Sequence, residues 1–352
     1  MDKTAQTILI IRTSAMGDIV MASPLIRGLK QRFPKARLLW LVEPAFAKLL
    51  QEHPLLDGVI LFDKSRWRML LKQGKLLVLL GEIRELHNHL RQEAVDMVLD
   101  VQGLLRTRLL ARLSGADERI GLISKEPGQF LMTCMVPKGG DGRRMGSEYC
   151  HLLEVLGGQA GGCQPEVYIA NADQVGAQEH LTNAGVVVPY AVFAPFTTRP
   201  QKHWFDDRWA ELACVLGSRL GLRSVLLGGP ADTDRAERIV AATEGYAVNM
   251  AGGLALMQSA AVLSRAALVI GVDTGLVHMG TAFRRPTLAL FGATRPYLET
   301  ASPLTRVLYH RLPCSPCRRS PSCEGNFDCM QALTVAEVMQ AAERICQVRH
   351  QL

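Results

Sequence analysis

Four places in the chain put reactive or hydrogen-bonding side chains where an apolar run ends. The first is Arg12-Thr13-Ser14-Ala15-Met16-Gly17-Asp18, in which a strand gives way through small residues to a helix. Free backbone N–H groups and the positive helix end stabilise an anion at such a turn. Asp18 is there either as a first-turn cap or as a general base, a role that requires hydrogen-bond reach of an acceptor hydroxyl. The second is Pro195-Phe196-Thr197-Thr198-Arg199-Pro200-Gln201-Lys202-His203-Trp204. Its hydroxyls at Thr197 and Thr198 and the flexible point charge of Lys202 fit a phosphate cradle. The plain alternative is a solvated polar loop, with His203 a positioning or surface residue. In the third, Gly271-Val272-Asp273-Thr274-Gly275-Leu276-Val277-His278, Asp273 is placed to hold sugar hydroxyls while Thr274 and Gly275 donate to phosphate from a helix N-terminus. An ordinary Asp-Thr cap with His278 packed on the helix would have the same sequence. The fourth, Phe291-Gly292-Ala293-Thr294-Arg295-Pro296, is a strand followed by a Gly- and Pro-bearing turn.

Cysteine supplies the remaining chemistry. The chain has nine, and Cys314, Cys317, Cys323 and Cys329 crowd one loop. A Cys-x-x-Cys start and four thiolates suit a tetrahedral structural zinc site; the uneven later spacings equally suit free thiols, occasional disulfides or, less readily, an iron–sulfur cluster. In a reducing compartment metal comes before disulfides, and no catalytic role is expected of these residues. Three absences narrow the chemistry further. There is no Gly-x-Gly-x-x-Gly after a strand, no Gly-x-x-x-x-Gly-Lys-[Ser/Thr] and no Gly-x-Ser-x-Gly, which argues against nicotinamide dehydrogenases, P-loop NTPases and α/β-hydrolases.

The elements that must hold these turns are legible as a rhythm. Short Val-, Ile- and Leu-rich runs alternate with amphipathic stretches, the pattern of buried parallel strands joined by crossover helices. Strands are expected at 8–12, 37–42, 58–62, 94–101 and 119–122, and again at 191–194, 223–227, 247–249, 268–271 and 287–291. Helices are expected at 18–33, 46–52, 77–92, 104–113 and 147–156, then at 206–220, 232–242, 255–264, 277–283 and 335–348. Pro34 and Pro54 stand where a helix should stop. Residues 137–147 read as a mobile basic loop, and a linker begins at 159–165. At 352 residues the chain has room for two such α/β domains, and ligands of α/β proteins bind at the carboxyl ends of the strands.

Composition agrees. Hydrophobic residues make up 48% and charged residues 21%, as in soluble globular proteins. Forty Lys and Arg against 33 Asp and Glu give a net charge of +7, which suits an anionic ligand or membrane surface. Aromatics at 6% and the lack of a recognised motif argue against a nucleic-acid partner. No apolar stretch approaches the roughly 18–20 residues that span a bilayer, and the run at 8–11 is too short for a signal-peptide core. A cytoplasmic protein is expected, with at most peripheral membrane contact.

Together with Asp100-Val101-Gln102-Gly103-Leu104, these motifs in this order resemble the ADP-heptose:lipopolysaccharide heptosyltransferases, glycosyltransferase family 9, over nearly the whole chain. They look most like the type I members, which add the first heptose to Kdo-lipid A. The resemblance implies an α/β, GT-B fold: two Rossmann-like domains facing across a deep cleft. Residues 1–170 would bind the acceptor, 186–334 the ADP-sugar, and the helix at 335–352 would pack back toward the first domain. It also implies inverting transfer of L-glycero-D-manno-heptose, with Asp18 as base and Lys202 as the cation facing the departing diphosphate. The donor site falls on Thr197, Thr198, Lys202, Asp273, Thr274, Gly275 and His278. The acceptor is a phosphorylated, Kdo-bearing lipid, so its site is expected at Ser14, Met16 and Gly17 with Lys64, Arg66, Arg106 and Arg143. Arg68, Arg108 and Arg144 are further candidates, a solvated surface charge being the alternative for each. Trp67, with Leu70 and Leu71, would add contact with the cytoplasmic face of the inner membrane. Fixed charges can neutralise the leaving group, so no catalytic cofactor is required, and any zinc would be structural. One departure concerns the family's ribose-contacting Glu after a Gly-x-Pro turn: here Gly228-Gly229-Pro230 runs into Asp232, Thr233 and Asp234. Alternative readings are a type II-like enzyme acting on a heptosylated core, a transferase of another nucleotide-sugar, and a nucleotide-sugar-binding protein without activity.

Overall fold

Thr7-Ile8-Leu9-Ile10-Ile11 has no polar face to offer solvent, and all five residues are buried. Such a run forms a strand covered on both sides. Five more strands join it in one parallel sheet. In chain order they are β1 (Thr7–Ile11), β2 (Arg37–Val42), β3 (Gly58–Leu61), β4 (Met97–Asp100), β5 (Glu118–Leu122) and β6 (Cys134–Val136), arranged β3-β2-β1-β4-β5-β6. The register sets Ile10 opposite Trp40 on one side and Leu99 on the other. The helices of this half are α1 (Met16–Ala22), α2 (Pro24–Arg32), α3 (Lys48–Gln51), α4 (Lys64–Lys72), α5 (Leu76–Gln92), α6 (Leu105–Leu113) and α7 (Ser147–Val155). The single helix expected over 18–33 is two. Pro24 takes the first position of α2, where its missing N–H removes no hydrogen bond.

The second half repeats the plan. Its strands are β7 (Tyr190–Ala194), β8 (Arg223–Leu226), β9 (Ala247–Asn249), β10 (Leu268–Val272), β11 (Thr287–Phe291) and β12 (Thr305–Tyr309), arranged β12-β11-β10-β7-β8-β9. Its helices are α8 (Asn171–Asn183), α9 (Asp206–Leu220), α10 (Thr233–Ala241), α11 (Leu256–Ser264), α12 (Gly275–Ala282), α13 (Asp328–Gln331) and α14 (Val335–Arg349). In each sheet the order reverses between the unit's first and fourth strands, β1 and β4 or β7 and β10. That reversal is the switch point where Rossmann-like sheets leave a crevice.

The structure, a computed structural model, describes residues 6–159, 163–294, 296–300, 302–317 and 320–349. Residues 160–162 of the expected linker, Arg295 of the fourth motif and residues 350–352 of the terminal helix lie outside the described residues. Two units emerge: Met1–Gly142 with Gly146–Cys163, and Arg143–Met145 with Gln164–Leu352. The boundary thus falls before residue 170, and α8 belongs to the second unit. The loop expected to be mobile at 137–147 is pinned: Met145 N–H donates to the Glu299 carbonyl at 2.9 Å, and Leu298 and Glu299 N–H donate to the Arg143 carbonyl at 2.8 and 2.9 Å.

The terminal helix packs on the core of the second unit. Val335, Val338, Met339, Ala342 and Ile345 form one apolar stripe, and they share the core of Trp204, Leu216 and Leu290. Cysteine pairing also occurs: Cys150 on α7 and Cys163 form a disulfide, Cα–Cα 6.0 Å.

Candidate functional site

Because β1 and β4 are neighbours, the turns that follow them lie side by side. Arg12 links the two. Its Nη1 donates to the Val101 carbonyl at 3.1 Å, and its Nη2 meets Asp18 Oδ2 at 2.5 Å. Ala15 N–H donates to the same oxygen at 3.3 Å. Burial opposes the Arg12 charge, yet the guanidinium is held above its ordinary pKa, the Asp18 carboxylate being among the causes. Burial also pushes the Tyr149 phenol upward, so it stays neutral beside the pair. Thr13 completes the link, its N–H and Oγ1 donating to Gln102 Oε1 at 2.8 and 2.9 Å. Ser14, Met16 and Gly17 occupy the turn and the start of α1, next to Asp18.

Asp100, in contrast, shapes the β4 turn. Its carboxylate accepts from Gln102 N–H, Gly103 N–H and Thr107 Oγ1 at 3.1, 3.0 and 3.0 Å, and burial raises its pKa. Gly103 sits at φ +69°, the left-handed region that favours glycine.

The basic residues expected on the acceptor side separate into distinct environments. Lys64 Nζ donates to Glu43 Oε1 at 2.9 Å, and Glu43 N–H donates to the Thr13 carbonyl at 3.1 Å, so Lys64 is tied to the Asp18 turn through Glu43. Arg66 pairs with Glu82 at 2.5 Å, and Arg106 is exposed on α6. Arg143 belongs to the second unit, 3.4 Å from Glu299. Arg108 is fully buried. It donates to the carbonyls of Glu126 and Pro127 at 2.6 Å each and to Ser124 Oγ at 3.0 Å, so it clamps the 124–127 loop instead of facing a ligand. Trp67 turns inward, its ring edge-on to Phe62 at 4.9 Å.

In the second unit the turns after β7 and β10 meet at Asp273. Lys202 Nζ lies 2.5 Å from Asp273 Oδ2 and 3.5 Å from its carbonyl. Thr294 Oγ1 donates to Oδ2 at 2.8 Å, and His278 Nε2 stands 3.7 Å from Oδ1. Burial opposes the Asp273 charge, yet His278 and Lys202 outweigh it and hold the carboxyl well below the usual carboxylate range. His278 Nδ1 is 2.7 Å from the Tyr297 hydroxyl, whose pKa burial and Asp273 push far upward. Thr274 precedes α12 and makes no side-chain cap of its own. Gly275 opens that helix, and Thr197 and Thr198 lie in the loop after β7.

His203 holds that loop in place. The Thr197 carbonyl can only accept, so His203 Nε2 carries the hydrogen of their 2.8 Å bond; Nδ1 then accepts from Arg235 Nη1 at 2.7 Å. Burial, then Arg235, lower the His203 pKa, consistent with a neutral ring. At the departure noted after Gly-Gly-Pro, Asp232 Oδ2 accepts from Gly229 N–H at 2.8 Å and closes the turn.

The cysteine loop brings Cys314, Cys317, Cys323 and Cys329 close enough for their charges to act on one another. Among the described residues no three His, Cys, Asp or Glu are arranged to hold a metal ion. Cys329 faces Gly292, where an added Cβ would come within 2.7 Å of Sγ, and burial pushes its thiol up to about 11.

Sequence reasoning singled out Asp18, Lys202, Asp273 and His278 but gave Glu43, Arg12, Thr294 and Tyr297, which contact them or their neighbours, no role. Glu43 directly follows the apolar run of β2, and Tyr297 lies just past the fourth motif; both positions were available as signals.

Residues 83–327 match the model of glycosyltransferase family 9 (heptosyltransferase). Lipopolysaccharide heptosyltransferase 1 of Pseudomonas aeruginosa is 31% identical over 321 residues, 88% of this chain and 85% of that protein. Lipopolysaccharide heptosyltransferase 2 of Escherichia coli K12 is 24% identical over 360 residues, 95% of this chain and 96% of that protein. The solved structure of E. coli heptosyltransferase WaaC with ADP-2-deoxy-2-fluoro heptose has a TM-score of 0.71 at 28% identity, covering 96% of this chain and 99% of that one. With two Rossmann-like sheets, the ordered motifs and a family match over most of its length, the chain belongs to glycosyltransferase family 9, the heptosyltransferases.

Proposed function

We propose that this chain transfers L-glycero-D-manno-heptose from ADP-heptose to the Kdo-lipid A inner core of lipopolysaccharide, with inversion at the anomeric carbon. The observation that carries the reading is the Asp18 carboxylate at the β1–β4 switch point, oriented by Arg12 and Ala15 N–H. Both contacts fall on Oδ2, which leaves Oδ1 to take the acceptor proton as the acceptor oxygen attacks the anomeric carbon. The bond from that carbon to the diphosphate breaks, and ADP leaves with the electron pair.

Lys202 meets the developing negative charge. An ammonium has three donors; one goes to Asp273 Oδ2 and one, at 3.5 Å, to the Asp273 carbonyl, which leaves the third for the diphosphate. The Thr197 and Thr198 hydroxyls and the N–H groups at Thr274 and Gly275 add donors, and His278 holds Asp273 from its far side. This fixed cation supplies charge neutralisation without a divalent metal, so a chelator is expected to leave the initial rate unchanged. Ser14, Met16 and Gly17 would contact the acceptor sugar, and Lys64, Arg66, Arg106 and Arg143 its phosphates. Greater identity to a type 1 than to a type 2 relative supports Kdo-lipid A over a heptosylated core. The enzyme would work at the cytoplasmic face of the inner membrane as a peripheral protein.

The test is ADP release from ADP-heptose with Kdo2-lipid A, comparing the wild type with Asp18→Asn. Loss of at least about 100-fold in kcat is expected. A loss below about tenfold would remove Asp18 as base, and release only with a heptosylated acceptor would move the assignment to type 2.

A further inference from the structure

The hairpin of α4 and α5 changes character toward its turn. Its inner face is anchored: Leu70 of α4 and Leu86 and Leu90 of α5 are buried, and Trp67 packs on Phe62. Near the turn the apolar side chains face solvent. Residues 71–78 are all exposed, with Leu71 at 59%, Leu77 at 85% and, just beyond, Leu80 at 59%. Leu76, Val78 and Met69 are exposed beside them. Contiguous exposed apolar groups of this kind mark an interaction surface.

The charge around them identifies the partner. Residues 64–80 contain no Asp or Glu; Lys64 and Arg66 pair with Glu43 and Glu82 from outside the stretch, while Arg68, Lys72 and Lys75 are exposed cations beside the leucines. Protein-binding patches are depleted of Lys at their core, whereas leucines ringed by unbalanced cations fit an interface with anionic lipid headgroups. Among the described residues no helix is long and apolar enough to cross a membrane. We propose that the α4–α5 tip inserts into an anionic bilayer surface, Leu71, Leu76, Leu77 and Leu80 entering the headgroup–acyl boundary while Lys72 and Lys75 meet lipid phosphates. The inference deepens the functional reading above and rests on it for the lipid acceptor, but the surface is a separate physical claim. It also replaces Trp67 as the expected membrane anchor.

The experiment is co-sedimentation of the full chain with vesicles of phosphatidylcholine alone and of phosphatidylcholine with phosphatidylglycerol. Leu77→Asp/Leu80→Asp and Lys72→Glu/Lys75→Glu are compared with the wild type, each variant checked by circular dichroism. The wild type should prefer the anionic vesicles and release with salt, and each double variant should bind at least about tenfold more weakly. Heptose transfer to a deacylated, soluble acceptor should stay within about twofold of wild type in both variants, since neither pair touches the reacting groups. Equal binding by wild type and variants, or no anionic preference, overturns the proposal. So does self-association that disappears in Leu77→Asp/Leu80→Asp without any vesicle binding, which would make the tip a contact between copies. Failure of the wild type on the soluble acceptor while vesicle binding persists would count against the functional reading and leave the lipid surface standing.

Discussion

The Lys202–Asp273 pair is mostly shielded from water, its side chains 15% and 17% exposed, so each charge depends on the other. Under the proposed mechanism Lys202→Met removes the cation that meets the leaving group, and it strands Asp273. Its kcat should fall about 10²–10³-fold, read as steady-state ADP release. The pH dependence has a definite sign. Asp273 titrates lower in the folded chain than in the unfolded one, so its contribution to stability is complete above about pH 4 and is lost as pH falls toward the depressed folded value. Urea unfolding of the wild type should therefore weaken more steeply below pH 4 than that of Asp273→Asn, which lacks the titrating group. At neutral pH that variant should be less stable by about 3 kcal/mol, because Lys202 loses its partner. Lys202 and Asp273 were legible as separate motif residues. Their pairing was not, because 71 positions lie between them. Glu43 escaped for the same reason: its importance lies in Lys64 and Thr13, which only the sheet brings to it.

Among the elements, strands buried on both faces were the easiest to anticipate, since β1, β7 and β10 are apolar throughout. β6 and β12 were missed. Both are edge strands, and β12 buries only Leu308 fully, so its residues do not form an apolar run. α8 was passed over because it buries only Ala177 and Leu181 and has no apolar stripe. The close fit of β10 against its neighbours is sharper than the sequence conveys. An added Cβ at Gly271 would stand 2.5 Å from Val277 Cγ2 and 2.9 Å from the Ala194 carbonyl oxygen. That crowding presses on the first turn of α12 and on the end of β7, the two elements that carry Thr274 and the Thr197 loop. Gly271→Ala should cost about 2 kcal/mol in a denaturant titration, with a rise in KM for the donor that exceeds the change in kcat.

At the scale of the whole molecule, the same sheet order occurs twice, and each unit places its polar turns at the same switch point. The second unit is closed by α14, whose six buried apolar side chains complete the core around Trp204. Burial is worth about 2 kcal/mol for each large side chain, so the helix contributes an amount comparable with the roughly 5–15 kcal/mol by which a domain is stable. A chain ending at residue 334 should lose the cooperative thermal transition of that unit, measured by calorimetry. The loop at Arg143–Met145 has a different kind of consequence. Those three residues belong to the second unit although they lie inside the stretch that builds the first, and they clasp the backbone at 298–299. Recombination between relatives by one crossover at 163/164 would therefore graft one parent's clasp onto the other parent's backbone. Inheritance of an intact second unit requires three exchange points, so the halves of this chain are not interchangeable as single blocks.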